Sequence, residues 1–225
     1  MQQYETIFFD LGGTLIYPDF AFLKARFSTL GLQLEEEHFF YAVSKASQSI
    51  DGYLTQNPHS TDSDRVPVYL KSLLQELGFT GGVDSFIEHI ILPRHYETNF
   101  WNYCPDTIKP FLEKLSNSYK LGIISNSDGR VTEILKSFAL EQLFDTIIDS
   151  HIVKCEKPNP KIFHIACEKI ETPPEKCLYI GDIFSIDILG AQGAGMEAIL
   201  LDATGKQREE CKTIESIFDL QLVLN

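Results

Sequence analysis

The chain has no run approaching the roughly 18 consecutive apolar residues that a membrane-spanning helix needs, so no spanning segment is expected. It has no CxxC pair. Its five cysteines (Cys104, Cys155, Cys167, Cys177 and Cys211) are odd in number and scattered, which argues against a disulfide framework or a zinc site and for reduced thiols. It has no basic cluster either. With 32 acids against 19 Lys and Arg the formal net charge is −13, a balance that excludes nucleic-acid backbones and anionic membranes as expected partners. Internal repeats and low-complexity segments are absent, and nothing specifies an oligomeric state. The first apolar strand is reached by about Tyr4, leaving no room for a signal peptide, so a cytoplasmic location is expected. What is present is 225 residues with 44% hydrophobic and 23% charged content, enough for one large core, with or without an insertion.

Two kinds of sequence alternate. Apolar runs at 6–9, 121–124, 146–148, 178–180 and 198–201 are continuous, as in strands buried on both faces of a parallel sheet. Helical patterns at 105–116, 130–138, 160–168 and 185–192 separate them. Strands alternating with helices predict a doubly wound α/β core. Residues 18–96 differ, with apolar positions at helical spacing over 20–30, 35–51, 66–77 and 83–95. The expected division is therefore an α/β core domain of 1–17 and 97–225 with an all-α helical cap of 18–96 inserted after the first strand. An insert there leaves the core beside the C-terminal end of the first strand, where ligands bind in open α/β sheets, and suits a lid.

The strand ends carry the chemistry. Asp10 closes the first strand before Gly12-Gly13, a turn whose glycines permit close backbone approach to a ligand. A carboxylate so placed can attack phosphorus. Ser125 closes the second core strand, and its hydroxyl, with the backbone N–H of Asn126, is suited to hold phosphate oxygens. Lys157 is fixed in a loop by Pro158 and Pro160, which suits a cation that orients a nucleophile and stabilises transferring charge. Asp182 follows Gly181 at another strand end, with Asp187 five residues on, an acid pair suited to a hard cation such as Mg²⁺.

On these residues the chain resembles the haloacid dehalogenase (HAD) superfamily, in the subgroup with a helical cap inserted after the first motif. The resemblance covers essentially the whole chain. It rests on Asp10-Leu11-Gly12-Gly13-Thr14, Ser125, Lys157 and Gly181-Asp182 with Asp187, and the run from Gly190 to Met196 fits the usual continuation. It implies a Rossmann-like core and a Mg²⁺-dependent hydrolase acting most often on small phosphomonoesters through an aspartyl-phosphate. By carry-over, Asp10 is nucleophile and metal ligand. The Gly12 carbonyl, Asp182 and Asp187 complete the metal site, Ser125 holds phosphate, and Lys157 orients it.

The chain departs from that pattern at Gly12, where family phosphatases carry an Asp that protonates the leaving group and activates water. Such general acid–base help is typically worth about 10²–10⁴-fold. Three readings follow. The first is a weak phosphatase, or one that borrows an acid from Glu35, Glu36, Glu37, His38 or His59 of the cap. The second is a relative that cleaves other bonds, such as a phosphonatase using Lys24 or Lys45 as a Schiff base. The third is a non-catalytic protein that binds a phosphorylated ligand.

Overall fold

The structure is a computed structural model that describes residues 3–224. Its strands in chain order are β1 (Thr6–Phe9), β2 (Tyr17–Pro18), β3 (Trp101–Tyr103), β4 (Lys120–Ser125), β5 (Thr146–Asp149), β6 (Cys177–Gly181), β7 (Glu197–Leu201) and β8 (Lys212–Ile214). Its α-helices are α1 (Phe20–Thr29), α2 (Glu36–Gln56), α3 (Asp62–Glu76), α4 (Val83–Phe86), α5 (Leu92–Thr98), α6 (Ile108–Ser116), α7 (Val131–Ser137), α8 (Ser150–Val153), α9 (Pro160–Ile170), α10 (Leu189–Gly193) and α11 (Leu220–Leu224). Two compact units result: Ile16–Tyr103, and the segments on either side of it.

The α/β unit is built on a parallel sheet ordered β5-β4-β1-β6-β7-β8. β1 lies at its centre, paired with β4 through Phe9↔Ile123 and with β6 through Phe9↔Ile180. The connection order runs outward from β1 on one side, to β4 and β5, and then on the other, to β6, β7 and β8. That reversal places a switch point at the C-terminal ends of β1, β4 and β6, where open α/β sheets bind ligands. Every residue of β1 and β6 is buried, which explains their unbroken apolar text. α9 begins with Pro160 at its first turn and is capped by the Asn159 side chain, which accepts from Lys161 N–H. Its buried face of Ile162, Phe163, Ala166, Cys167 and Ile170 follows helical spacing and packs on the sheet. Each large side chain there contributes on the order of 1.5–3 kcal/mol by leaving water.

The Ile16–Tyr103 unit is helical apart from one feature absent from the sequence expectation. β2 and β3 pair antiparallel, Tyr17 opposite Tyr103, so both strands belong to the helical unit. Strands of two and three residues are too short to show a period. Helix ends also differ from the expected ones. α2 runs on to Gln56 through Gly52, whose missing side chain faces open space and does not stop the helix. α3 starts at Asp62, not near 66, because Thr61 and Asp64 form a capping box there, which leaves Pro67 inside the helix. The expected single helix at 83–95 is α4, a π-helical turn over Ile87–Ile91, and α5. At the base of α1, Asp19 caps the helix and pairs with Arg94 at 2.6 Å, and that guanidinium stacks over Phe22.

Candidate active site

β4 ends in Ser125, and Asp10 and Asp182 directly follow β1 and β6. Asp10 sits one residue beyond β1, its N–H donating to the Ile180 carbonyl at 2.8 Å, so it is anchored to β6 as well as to its own strand. Asp182 follows β6 directly. Asp187 lies in a π-helical turn, Phe184–Ile188, and accepts from Ile183 N–H at 3.0 Å. Carboxylate oxygens of Asp10, Asp182 and Asp187 all lie within 4.8 Å of one another, and all three residues are buried.

Lys157 is the cation of this group. It is 2% exposed, and its Nζ donates to Asp10 Oδ1 at 2.5 Å, to Asp187 Oδ1 at 2.7 Å and to Tyr179 Oη at 2.9 Å. Three buried acids and one buried base leave a formal charge of −2 in a space where charge is costly. A divalent cation would cancel it, and an all-oxygen donor set with no nitrogen or sulfur suits a hard ion. The backbone is shaped to match. Gly13 has φ of +86°, and a Cβ there would lie 2.3 Å from Asp182 Oδ2, so only glycine lets the turn lie against that carboxylate. A Cβ on Gly181 would likewise fall 2.5 Å from Asp187.

Electrostatics follow burial. Asp10 is raised from its ordinary 3.8 to about 7, first by loss of water and then by the charge of Asp187, although Lys157 pulls the other way. For Lys157, burial favours the neutral amine, yet the charges and hydrogen bonds of Asp10 and Asp187 outweigh it and hold the ammonium above its usual range. The sign of the Asp10 shift has a measurable consequence. An unfolded Asp10 binds fewer protons than a folded one between pH 3.8 and about 7, so this group costs stability as pH rises through that window. In EDTA, the melting temperature of the wild type relative to Asp10→Asn should fall from pH 5 to pH 8. A rising difference would contradict the assigned direction.

Ser125 is buried at the end of β4, its hydroxyl donating weakly to the Asn126 carbonyl at 3.4 Å. The Asn126 side chain does something the sequence did not reveal. Its amide nitrogen donates to the Lys157 carbonyl at 3.0 Å, and its amide oxygen accepts from Lys157 N–H at 2.8 Å. This two-point clamp ties the β4 end to the lysine loop. Tyr179 was also missed. Fully buried on β6, its hydroxyl lies 2.9 Å from Lys157, 3.0 Å from Asp187 and 3.2 Å from the Ile124 carbonyl. Burial, with the charges of Asp187 and Asp10, pushes this phenol well above its usual value and keeps its proton. A signal was available: a tyrosine in an otherwise aliphatic strand buried on both faces must find a partner for its hydroxyl.

The cap candidates lie in the helical unit. Glu36 accepts from the Tyr103 hydroxyl, while Glu35, Glu37, His38 and His59 are exposed. Lys24 is exposed with its ammonium over the Phe20 ring, and Lys45 is half-buried with its ammonium over Tyr41.

A haloacid dehalogenase-like hydrolase family model matches residues 4–195. Glyceraldehyde 3-phosphate phosphatase of Methanothermobacter thermautotrophicus is 32% identical over 120 residues, covering 53% of this chain and 53% of the relative. Mouse N-acylneuraminate-9-phosphatase is 24% identical over 217 residues, covering 88% and 82% of the two chains. A HAD-hydrolase, YfnB of Bacillus subtilis, solved bound to magnesium, superposes with a TM-score of 0.68 at 22% identity over 100% of both chains. The chain spans about half the length of several of the curated relatives it matches. No described helix is long and apolar enough to cross a membrane.

Proposed function

Because the chain belongs to the haloacid dehalogenase-like hydrolases, we propose that it is a Mg²⁺-dependent phosphatase of small phosphomonoesters, working through an aspartyl-phosphate on Asp10 without an acid–base at position 12. The observation that carries this is the Lys157 ammonium bridging Asp10 and Asp187 within a cluster of three buried carboxylates. Both relatives described above are named as phosphatases of small phosphorylated molecules, which supports the substrate class. A cytoplasmic setting fits the same reading.

Asp10, Asp182, Asp187 and the Gly12 carbonyl would hold the Mg²⁺, which when bound draws charge from the phosphoryl oxygens. The Asp10 carboxylate, oriented by Lys157, attacks phosphorus in line and the ester oxygen departs. Ser125 and the backbone N–H groups of Asn126 and Gly13 steady the phosphoryl oxygens. Lys157 stabilises charge as it spreads over them. Gly12 offers the leaving oxygen no proton, so rate should track leaving-group stability. Water then attacks the aspartyl-phosphate with no base at position 12, so the second step is slow.

The test compares wild type with Gly12→Asp on p-nitrophenyl phosphate and a panel of alkyl phosphates, with and without Mg²⁺. Wild type is expected to turn over the aryl ester only with Mg²⁺ and to show a burst of p-nitrophenol. Gly12→Asp should raise alkyl-ester turnover by about 10²-fold or more. If neither protein hydrolyses any ester while Mg²⁺ still binds, the phosphatase reading fails. The Schiff-base alternative has no observation in its favour, since Lys24 is exposed and Lys45 lies over a tyrosine ring.

A further inference from the structure

α9 and β6 meet in two successive layers. In the first, the rings of Phe163 and Tyr179 pack edge to face with centroids 5.2 Å apart. Cys167 lies one helical turn beyond Phe163, and Cys177 lies two strand residues before Tyr179, so both occupy the same two faces. Their sulfurs are 3.8 Å apart, and both are free thiols. Cys177 is fully buried and Cys167 is 5% exposed. Cys167 also lines a surface recess of about 370 Å³ beside His164, Thr172 and Pro173, so the two sulfurs differ in their access to solvent.

We propose that Cys167 and Cys177 are a modification site at which a hydroperoxide converts the thiol pair into an intramolecular disulfide. The two thiols are unequal. Cys167 opens onto the recess, whereas Cys177 is fully buried with its thiol donating to the Pro173 carbonyl at 3.3 Å. Cys167 is therefore the attacking sulfur and Cys177 the resolving one. The Cys167 thiolate attacks the terminal oxygen of the hydroperoxide. The O–O bond breaks, the alkoxide takes a proton and leaves as an alcohol, and Cys167 becomes a sulfenic acid. The Cys177 sulfur then attacks the Cys167 sulfur. The S–O bond breaks, and hydroxide leaves with the Cys177 proton as water. Two thiols are oxidised and one hydroperoxide is reduced. The sulfurs must close from 3.8 Å to about 2.05 Å, a side-chain movement between two elements joined by a short connection. This inference does not depend on the phosphatase reading.

The experiment treats the full chain with one equivalent of hydrogen peroxide, blocks remaining thiols, digests without reductant and maps the peptides by mass spectrometry. The expected result is loss of two of the five thiols, one Cys167–Cys177 linked peptide and its disappearance with dithiothreitol. Cys177→Ser should instead trap sulfenic acid on Cys167 as a dimedone adduct. Oxidation of Cys104, Cys155 or Cys211 while Cys167 and Cys177 stay reduced would overturn the proposal. So would direct passage of Cys167 to sulfinic acid with no linked peptide in the wild type.

Discussion

Asp10→Asn is expected to lower turnover by at least about 10⁴-fold on aryl and alkyl phosphates alike. An amide keeps the shape of the carboxylate but is not a nucleophile toward phosphorus, so the loss should not depend on the leaving group. Stability should separate this from unfolding. Asp10 is buried and its carboxyl is raised to about 7, so replacing it with a neutral amide relieves an acidic cluster near neutral pH. The variant should therefore melt no lower than wild type in EDTA at pH 8, and its Mg²⁺ affinity should fall. Acid quenching of wild type during the burst should show one phosphoryl group bound to the peptide containing Asp10, and none in the variant. Turnover above about 1% of wild type would remove Asp10 as nucleophile, because loss of an attacking group leaves only binding and electrostatic help.

How far these residues could be read beforehand depended on element length and on contact range. β1, β4, β6 and β7 were legible because strands buried on both faces must be apolar throughout. β8 was not, since Lys212-Thr213-Ile214 is an edge strand of three residues with one buried side chain. After β8 the described chain ends in a 3₁₀ turn and α11. In the site, Asp10, Ser125 and Asp182 could be located because each ends or directly follows a core strand, and strand ends converge at a switch point. Lys157 could be located only by the prolines that fix its loop, and Asp187 only by its spacing from Asp182. Their mutual contact at 2.7 Å comes from a loop and a π-helical turn 30 residues apart, which no local pattern encodes. The Asn126 clamp on the Lys157 backbone is equally non-local, spanning 31 residues. Local periodicity thus reveals where backbone elements end, and the hydrogen bonds that aim a side chain come from packing between them.

Lys157→Met should damage both folding and turnover, and cation dependence should tell these effects apart. The ammonium is buried and donates to Asp10 and Asp187. Methionine keeps much of the stem volume and removes the charge, leaving three buried acids with no base among them. Removing one partner of a buried pair typically costs about 3–5 kcal/mol, because the remaining charge is left uncompensated. Urea unfolding in EDTA at pH 8 should show that loss, and lowering the pH toward 5 should recover part of it as carboxylates take up protons. Mg²⁺ should recover more, since a divalent ion supplies the positive charge the site has lost, and its affinity should rise above that of wild type. Turnover should nonetheless stay down by about 10³-fold or more at saturating Mg²⁺, because the ion cannot replace a donor aimed at Asp10 and the transferring group. Lys157→Arg should not restore it, as a planar guanidinium cannot place one nitrogen between Asp10, Asp187 and Tyr179 as the ammonium does. Unchanged stability in EDTA, or full activity of the methionine variant with Mg²⁺, would show that Lys157 is not the cation on which this acidic cluster depends.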